Sequence, residues 1–234
     1  MPSLQVFDRI NHLDTDSRYK LRSLPFTDYF GEMDLTKEQK EERIALAKNL
    51  EDVMTFFFYL VLIQSEFAYM GAISALEAKD TFRERMLNTV AQHMELNDEI
   101  RRQIENMVEE TTRVTIEHLV ILQAIIGRGE TNEAEEYYLS DDRARFIAEE
   151  ESNTLFNITD YYKAIELGYS TKTWVTMMDS RVRKDHQKME GETIPINDLF
   201  LVGGNSYMRF PRDEEYGASP KQIISCRCSI TYNP

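Results

Sequence analysis

Two regimes of apolar spacing divide the chain. Up to about residue 171 the apolar positions recur at three- and four-residue steps, which predicts helices; beyond it, β-branched and aromatic runs broken by Gly and Pro predict short strands and turns. Asp34 precedes Leu-Thr-Lys-Glu-Gln as an N-cap, opening a helix expected to run through Glu51 to about Leu76. Within it, Val53 to Ile63 is apolar around the whole circumference, the pattern of a helix buried on several sides or of a contact surface. The run falls short of the roughly 20 apolar residues of a membrane span. A second helix is predicted from Asn97-Asp98-Glu99, with Ile100, Ile104, Met107, Thr111, Val114, His118, Ile121 and Ile125 as one stripe and Gly127 and Gly129 as its end. Ser140-Asp-Asp opens a third, with an apolar face of Leu155, Ile158, Tyr162 and Ile165 and a stop at Gly168. Residues 171–179 and 226–232 read as strands. Between them are predicted a short basic helix from Arg183 to Met189, a turn at Gly191 and a loop holding Gly203-Gly204. The fold class is mainly α with a small α+β C-terminal module: a long helical arm or bundle, then a compact few-stranded domain.

Composition sharpens this division. The 234 residues, 42% of them hydrophobic and 11% aromatic, suffice for a buried core and one or two domains. Residues 172–234 hold four of the six prolines and four of the nine glycines, as turns require. The net charge is −14, which disfavours a free-standing binder of phosphate backbones or anionic lipid. Residues 172–234 carry nine basic and eight acidic side chains, so the acidity belongs to residues 1–171, with 18 basic against 33 acidic. Such acidity is ordinarily a solvated helix surface; the functional alternative is a negative face that docks on a basic ring or collar. Met1 to Arg9 lacks the basic and apolar regions of a secretory signal, so the protein is expected to stay in the cytoplasm where it is made. Its two cysteines, Cys226 and Cys228, give no disulfide framework and fit a reducing compartment.

Candidate chemistry gathers in the C-terminal part, at Asp179, Arg181, Arg183, His186, Gly191, Cys226, Arg227 and Cys228. On a strand Cys226 and Cys228 face one side and Arg227 the other. Two thiols on one side are half of a soft-metal site, with His186 as third ligand and Asp179 or a water as fourth. The alternative keeps the thiols as buried small side chains and lets Asp179 pair with Arg181, Arg183 or Arg227 to pin strand, helix and loop. His118, on an apolar stripe, reads as a packed core or edge residue, and Glu149-Glu150-Glu151 as a solvated helix face.

One ordered series carries a resemblance. Arg143-Ala144, Ile147-Ala148, Glu151 and Asn153 are followed by Gly168, Lys172-(x)-Trp174, Asp179-(x)-Arg181-(x)-Arg183-(x)2-His186 and Gly191, and the series ends at Cys226-Arg227-Cys228. Over roughly residues 140–230 it resembles the phage Mu F-like head morphogenesis family, the minor head proteins of tailed bacteriophages. The resemblance divides the chain into an N-terminal extension at 1–33, an acidic helical arm or bundle at 34–139, and the module at 140–234, itself a linking helix at 140–168 and an α+β part at 171–234. It implies a protein made in the infected bacterial cytoplasm, associated with the portal vertex during head assembly and carried into the virion, with no established catalytic activity. Many relatives carry Cys-x-x-Cys at the places of Arg183 and His186, and a His three residues before Cys-Arg-Cys, which together look like a zinc site. This chain has Arg183 and Ile223 at two of those places, leaving His186, Cys226 and Cys228.

Three functional readings follow. The first is a structural, non-enzymatic minor head protein whose acidic arm docks on a portal, scaffold or major capsid protein, acting in head morphogenesis and in DNA packaging or ejection, with oligomers on the portal ring. The second is a metal-dependent hydrolase or nuclease using His186 as ligand or general base, with Cys226 and Cys228 as ligands and Asp179 or Glu151 assisting. The third is a DNA-contacting virion protein using Arg181, Arg183, Lys184 and Lys188 on phosphates. No cofactor is expected on the first reading, and zinc at His186, Cys226 and Cys228 is the exception the thiols leave open. No membrane association is expected.

Overall fold

Thr36 and Gln39 start the first long helix by a reciprocal capping box: the Gln39 N–H donates to Thr36 Oγ1 at 3.2 Å, and the Thr36 N–H to Gln39 Oε1 at 3.0 Å. The cap is therefore Thr36, two residues beyond the expected Asp34. The computed structural model describes residues 26–31, 33–67, 71–130 and 132–234, so most of the N-terminal extension lies outside the described residues. In chain order the helices up to residue 166 are α1 (Phe26–Gly31), α2 (Lys37–Phe67), α3 (Gly71–Val90), α4 (Asp98–Gly127), α5 (Glu133–Glu136), a 3-10 turn (Tyr137–Leu139) and α6 (Asp141–Glu166). Next come β1 (Thr171–Val175), α7 (Lys184–Gln187), β2 (Thr193–Pro195), β3 (Phe200–Val202), β4 (Ser206–Met208), α8 (Pro220–Ile223) and β5 (Ser229–Asn233). The protein is mainly α with a small antiparallel C-terminal sheet region, as the apolar spacing predicts. Among the described residues no helix is long and apolar enough to cross a membrane.

The chain forms two compact units, one including Leu46–Ala148 and the other Leu24–Ala45 with Glu149–Pro234. Both α2 and α6 contribute residues to each.

In the first unit α3 runs antiparallel to α4, because Lys79 pairs with Glu109 and Arg83 with Glu105, one helix descending as the other ascends. Phe57 of α2 stacks on Phe82 of α3 with ring centroids 4.3 Å apart. Leu76, expected at the end of one helix from residue 34, belongs to α3; Gly71 begins this separate helix. The Asn97 side chain caps α4, accepting from the Ile100 N–H at 2.9 Å. The predicted α4 stripe is correct through Thr111 and again at Ile125, and rotates between them. Thr115, Leu119, Leu122 and Ile125 are buried, while Ile121 is exposed and Val114 and His118 half-buried. The larger apolar surfaces of Leu119 and Leu122 gain more from burial than an imidazole does, and His118 stacks on Tyr138 at the edge of the unit. The apolar run from Val53 is likewise one-sided in part: Val53, Met54, Phe57, Phe58, Val61 and Leu62 are buried and Tyr59 is exposed.

In the second unit a three-stranded antiparallel sheet, ordered β2-β1-β5, pairs Trp174 with Ile230 and Lys172 with both Ile194 and Tyr232. β3 and β4 form a separate hairpin, Leu201 opposite Tyr207. Trp174, Met189, Phe200, Val202, Met208, Cys226 and Cys228 close one hydrophobic core. Both predicted strands are shorter than expected. β1 stops at Val175 because the Thr176 N–H turns to Glu190 Oε2 at 2.6 Å, and Met178 lies 74% exposed at φ 53°. β5 starts only at Ser229, since the Cys226 N–H is held in a turn by the Ile223 carbonyl and Ser225 has φ 56°. The buried face of α6 continues from Leu155 and Ile158 to Tyr161 and Ala164, whereas Tyr162 is half-buried and Ile165 exposed.

Candidate metal centre and the polar face of α6

The sequence brings His186 to the cysteines through a four-residue helix. Arg183 precedes α7 in extended conformation, and its guanidinium donates to the Ile224 carbonyl, tying α7 to the segment ahead of Cys226. His186 is buried, with its ring edge against Trp174 at 5.6 Å between centroids. Its Nδ1 lies 3.4 Å from Cys228 Sγ and 3.5 Å from Cys226 Sγ. One ligand atom from each of the three residues falls within 4.8 Å of the others. Although 226–228 precede the strand, the alternation expected of a strand holds: both thiols face inward, and Arg227 reaches the other way to Asp179.

On the far side of the ring, His186 Nε2 is 3.0 Å from Gln222 Oε1, and Gln222 Nε2 donates to Asp185 Oδ2 at 3.0 Å. The amide orientation fixes the imidazole. Because the Gln222 nitrogen serves Asp185, its oxygen must accept, so the neutral ring carries its proton on Nε2 and points the Nδ1 lone pair at the two sulfurs. Donation from Cys228, outweighing burial, draws the Cys226 thiol well below its ordinary range; the same donation and burial push Cys228 up. The pair thus gives up one proton readily and holds the second. The donor set fits a soft divalent ion. A tetrahedral zinc with Zn–S and Zn–N lengths of about 2.3 and 2.0 Å separates nitrogen and sulfur by about 3.5 Å, the separations found here.

Asp179 is the pin for this region. Its carboxylate accepts the Arg181 and Val182 N–H groups at 2.9 and 3.1 Å, the Arg181 guanidinium, and Arg227 Nη2 at 3.0 and 2.8 Å. Burial opposes ionisation, and the Arg227 and Arg181 guanidiniums overcome it, holding Asp179 below the usual carboxylate range. Arg183 takes no part in this pair. Gly191, at φ 73°, turns the chain so that its N–H meets the Trp174 carbonyl at 2.9 Å.

The acidic run on α6 is not the solvated face its composition suggests. Glu149 and Glu150 are buried and Glu151 half-buried. Glu150 accepts from Tyr29 at 2.8 Å and from the Ser225 N–H at 2.7 Å, and pairs with Arg212. Asn153 donates to the Cys226 carbonyl at 3.3 Å, Thr154 accepts from Arg212 Nε at 2.6 Å, and Asn157 donates to the Pro211 carbonyl at 3.0 Å. Positions 150, 153, 154 and 157 lie on one helix face, so a polar stripe fastens the loops that carry Pro211 to Arg212 and Ser225 to Cys226. That spacing is the sequence signal by which Glu150, Thr154 and Asn157 are recognisable beside Asn153. Arg209 and Asp213 form a second buried bidentate pair, at 2.8 Å for both nitrogens.

Arg143, from the same motif series, lies in the other unit. It is buried, donates to Thr115 Oγ1 at 2.9 Å and to the Tyr138 carbonyl, and lies 5.0 Å from the Phe58 ring centre. Burial lowers this guanidinium to about 10. The candidate residues therefore serve two separate structural purposes, with only His186, Cys226 and Cys228 converging on a ligand-like geometry.

Comparison with known families matches residues 80–231 to the family model for phage Mu protein F like protein. The match begins well upstream of residue 140, taking in most of α3 and all of α4. No curated protein and no solved structure matches the chain.

Proposed function

Because the chain belongs to the phage Mu protein F like family, we propose that it is a structural, non-enzymatic protein of the bacteriophage head, docking at the portal vertex during head morphogenesis and remaining in the virion. The family match carries this reading. The paired polar groups of the second unit agree with it: Asp179, Glu150 and Arg212 spend their hydrogen bonds on guanidiniums, side chains and backbone amides, which is what holding a shape requires. The partner is the portal ring, with scaffold or major capsid protein as further contacts, and the acidic helices of residues 34–139 supply the docking face. Assembly begins in the host cytoplasm. Co-expression with the cognate portal followed by co-sedimentation tests this directly: the protein travels with the portal, and separation of the two in both low and moderate salt overturns the docking.

A second reading concerns the ion. The 3.4 and 3.5 Å nitrogen-to-sulfur separations favour a zinc-type site at His186, Cys226 and Cys228, which would tie α7 to the start of β5. Such an ion supplies cross-linking. Elemental analysis of purified protein tests it, one equivalent of zinc supporting the site and none removing it. Arg181, Lys184 and Lys188 are exposed and provide the surface for DNA contact during packaging or ejection; a failure of the full chain to bind duplex DNA at low salt overturns that part.

A further inference from the structure

We infer that Gln222 is the positioning residue that makes this cysteine and histidine cluster competent for a soft divalent cation, with Asp185 and Gly203 holding Gln222 in place. The inference rests on the ion-binding reading above. An imidazole can coordinate through Nδ1 only in the tautomer that carries its proton on Nε2, and without a fixed acceptor at Nε2 the neutral ring exchanges between both forms. Here the choice is made by a chain of two hydrogen bonds. Asp185 Oδ2 accepts from Gln222 Nε2, which leaves Gln222 Oε1 to accept from His186 Nε2. The Gln222 side chain and the His186 ring are both buried, so water does not compete for the bond between them.

The hairpin turn between β3 and β4 is shaped around this amide. Gly203 sits at φ 63°, and a Cβ there would lie 2.4 Å from Gln222 Nε2 and 3.1 Å from Asp185 Oδ2. A side chain at residue 203 would therefore displace the amide from its position beneath the turn. Four elements thus converge on one tautomer: α7 brings Asp185 and His186, α8 brings Gln222, the β3–β4 turn closes over it, and the segment before β5 supplies the sulfurs. Removing the Gln222 oxygen leaves Nε2–H without an acceptor in a dry site, and the ring then gains by moving its proton to Nδ1, where it meets sulfur instead of offering a lone pair.

The test is titration of the full chain with Co²⁺, read by the near-ultraviolet sulfur-to-cobalt charge-transfer band, followed by competition with Zn²⁺ and a chelator. The expected loss for Q222M is about 10- to 100-fold in affinity, with the double variant Q222E/D185N, which keeps an acceptor at the ring, recovering most of it. Nitrogen-15 NMR of the metal-free protein gives a second readout that a merely structural role leaves unmoved: His186 carries its proton on Nε2 in the natural sequence and loses that preference in Q222M. Wild-type protein that shows no charge-transfer band at micromolar Co²⁺ overturns the ion-binding reading itself. Wild type that binds while Q222M binds equally well overturns the role of Gln222 alone. If Q222M does not fold, D185A at a partly exposed position decides the matter, because it removes the acceptor for Gln222 Nε2: weakened cobalt binding supports the relay, and unchanged binding overturns it.

Discussion

Glu150, in the middle of α6, forms a buried ion pair with Arg212, whose backbone sits at φ 73°, in the left-handed region that residues other than glycine rarely occupy. Burial alone lowers the Arg212 guanidinium, but the facing Glu150 and Tyr29 outweigh it and hold the charge firmly. Burial first, and then the Glu150 carboxylate, raise the Tyr29 hydroxyl well above its ordinary range against the opposing pull of Arg212. Removing one partner strands the other in a dry site. E150A is expected to cost about 3–5 kcal/mol in urea unfolding, as is R212A, and the double variant less than the sum. Additive losses would show that the pair is not coupled.

Lys172 of β1 is 0% exposed, and its Nζ lies 5.0 Å from the Tyr161 ring centre and 5.4 Å from that of Phe200, with no hydrogen-bond acceptor among the described residues. Burial lowers its amine to about 8. Between there and the ordinary lysine value of 10.5 the unfolded chain binds a proton that the folded chain has released, so stability rises with pH across that window. Below it both states are charged and the burial penalty is carried in full. The unfolding midpoint is expected to climb between about pH 8 and 9.5 in wild type relative to K172M, which removes the amine. Parallel pH profiles for the two proteins would contradict the assignment.

Asp179 also makes stability rise with pH, but in an acid window, and because its charged form is favoured where that of Lys172 is penalised. Its folded carboxyl lies below the ordinary 3.8, so its contribution is present above that pH and fades as pH falls through the depressed folded value. D179N is expected to lower the unfolding midpoint at neutral pH and to flatten the acid limb of the stability profile. Equal acid sensitivity in wild type and D179N would remove the pin.

Helix starts are local features, and they separate cleanly by mutation. T36A is expected to cost about 1 kcal/mol and D34A a few tenths at most, because only Thr36 closes the capping box. Thermal unfolding monitored by circular dichroism ranks the two, and a larger loss for D34A would overturn the cap assignment.

What the sequence discloses follows the range of the interactions. The starts at Asn97 and Ser140, the glycine stops and the turn at Gly191 depend on neighbours within a few residues, and each is legible. The join between α2 and α3 carried its own signal in Gly71, a poor residue for the interior of a helix, which the continuous apolar run obscures. The strand ends were not legible, because β1 is cut short by Glu190 from another segment and β5 is delayed by the turn at Ser225. At the candidate site, His186, Cys226 and Cys228 could be named from residue type alone, and Asp179 with Arg227 from charge. Gln222 could not, since nothing in its neighbourhood says that an amide 36 residues away orients an imidazole. The same holds for Glu150: a run of three glutamates looks solvated until a distant arginine is placed over it.

If the protein is a built-in part of the phage head, the composition of purified particles shows it most directly. Quantitative mass spectrometry of density-banded virions should find the full chain in a small, fixed number of copies per particle, in constant ratio to the portal protein across preparations. Particles that band free of it, while the protein accumulates unassembled in the lysate, would contradict the claim.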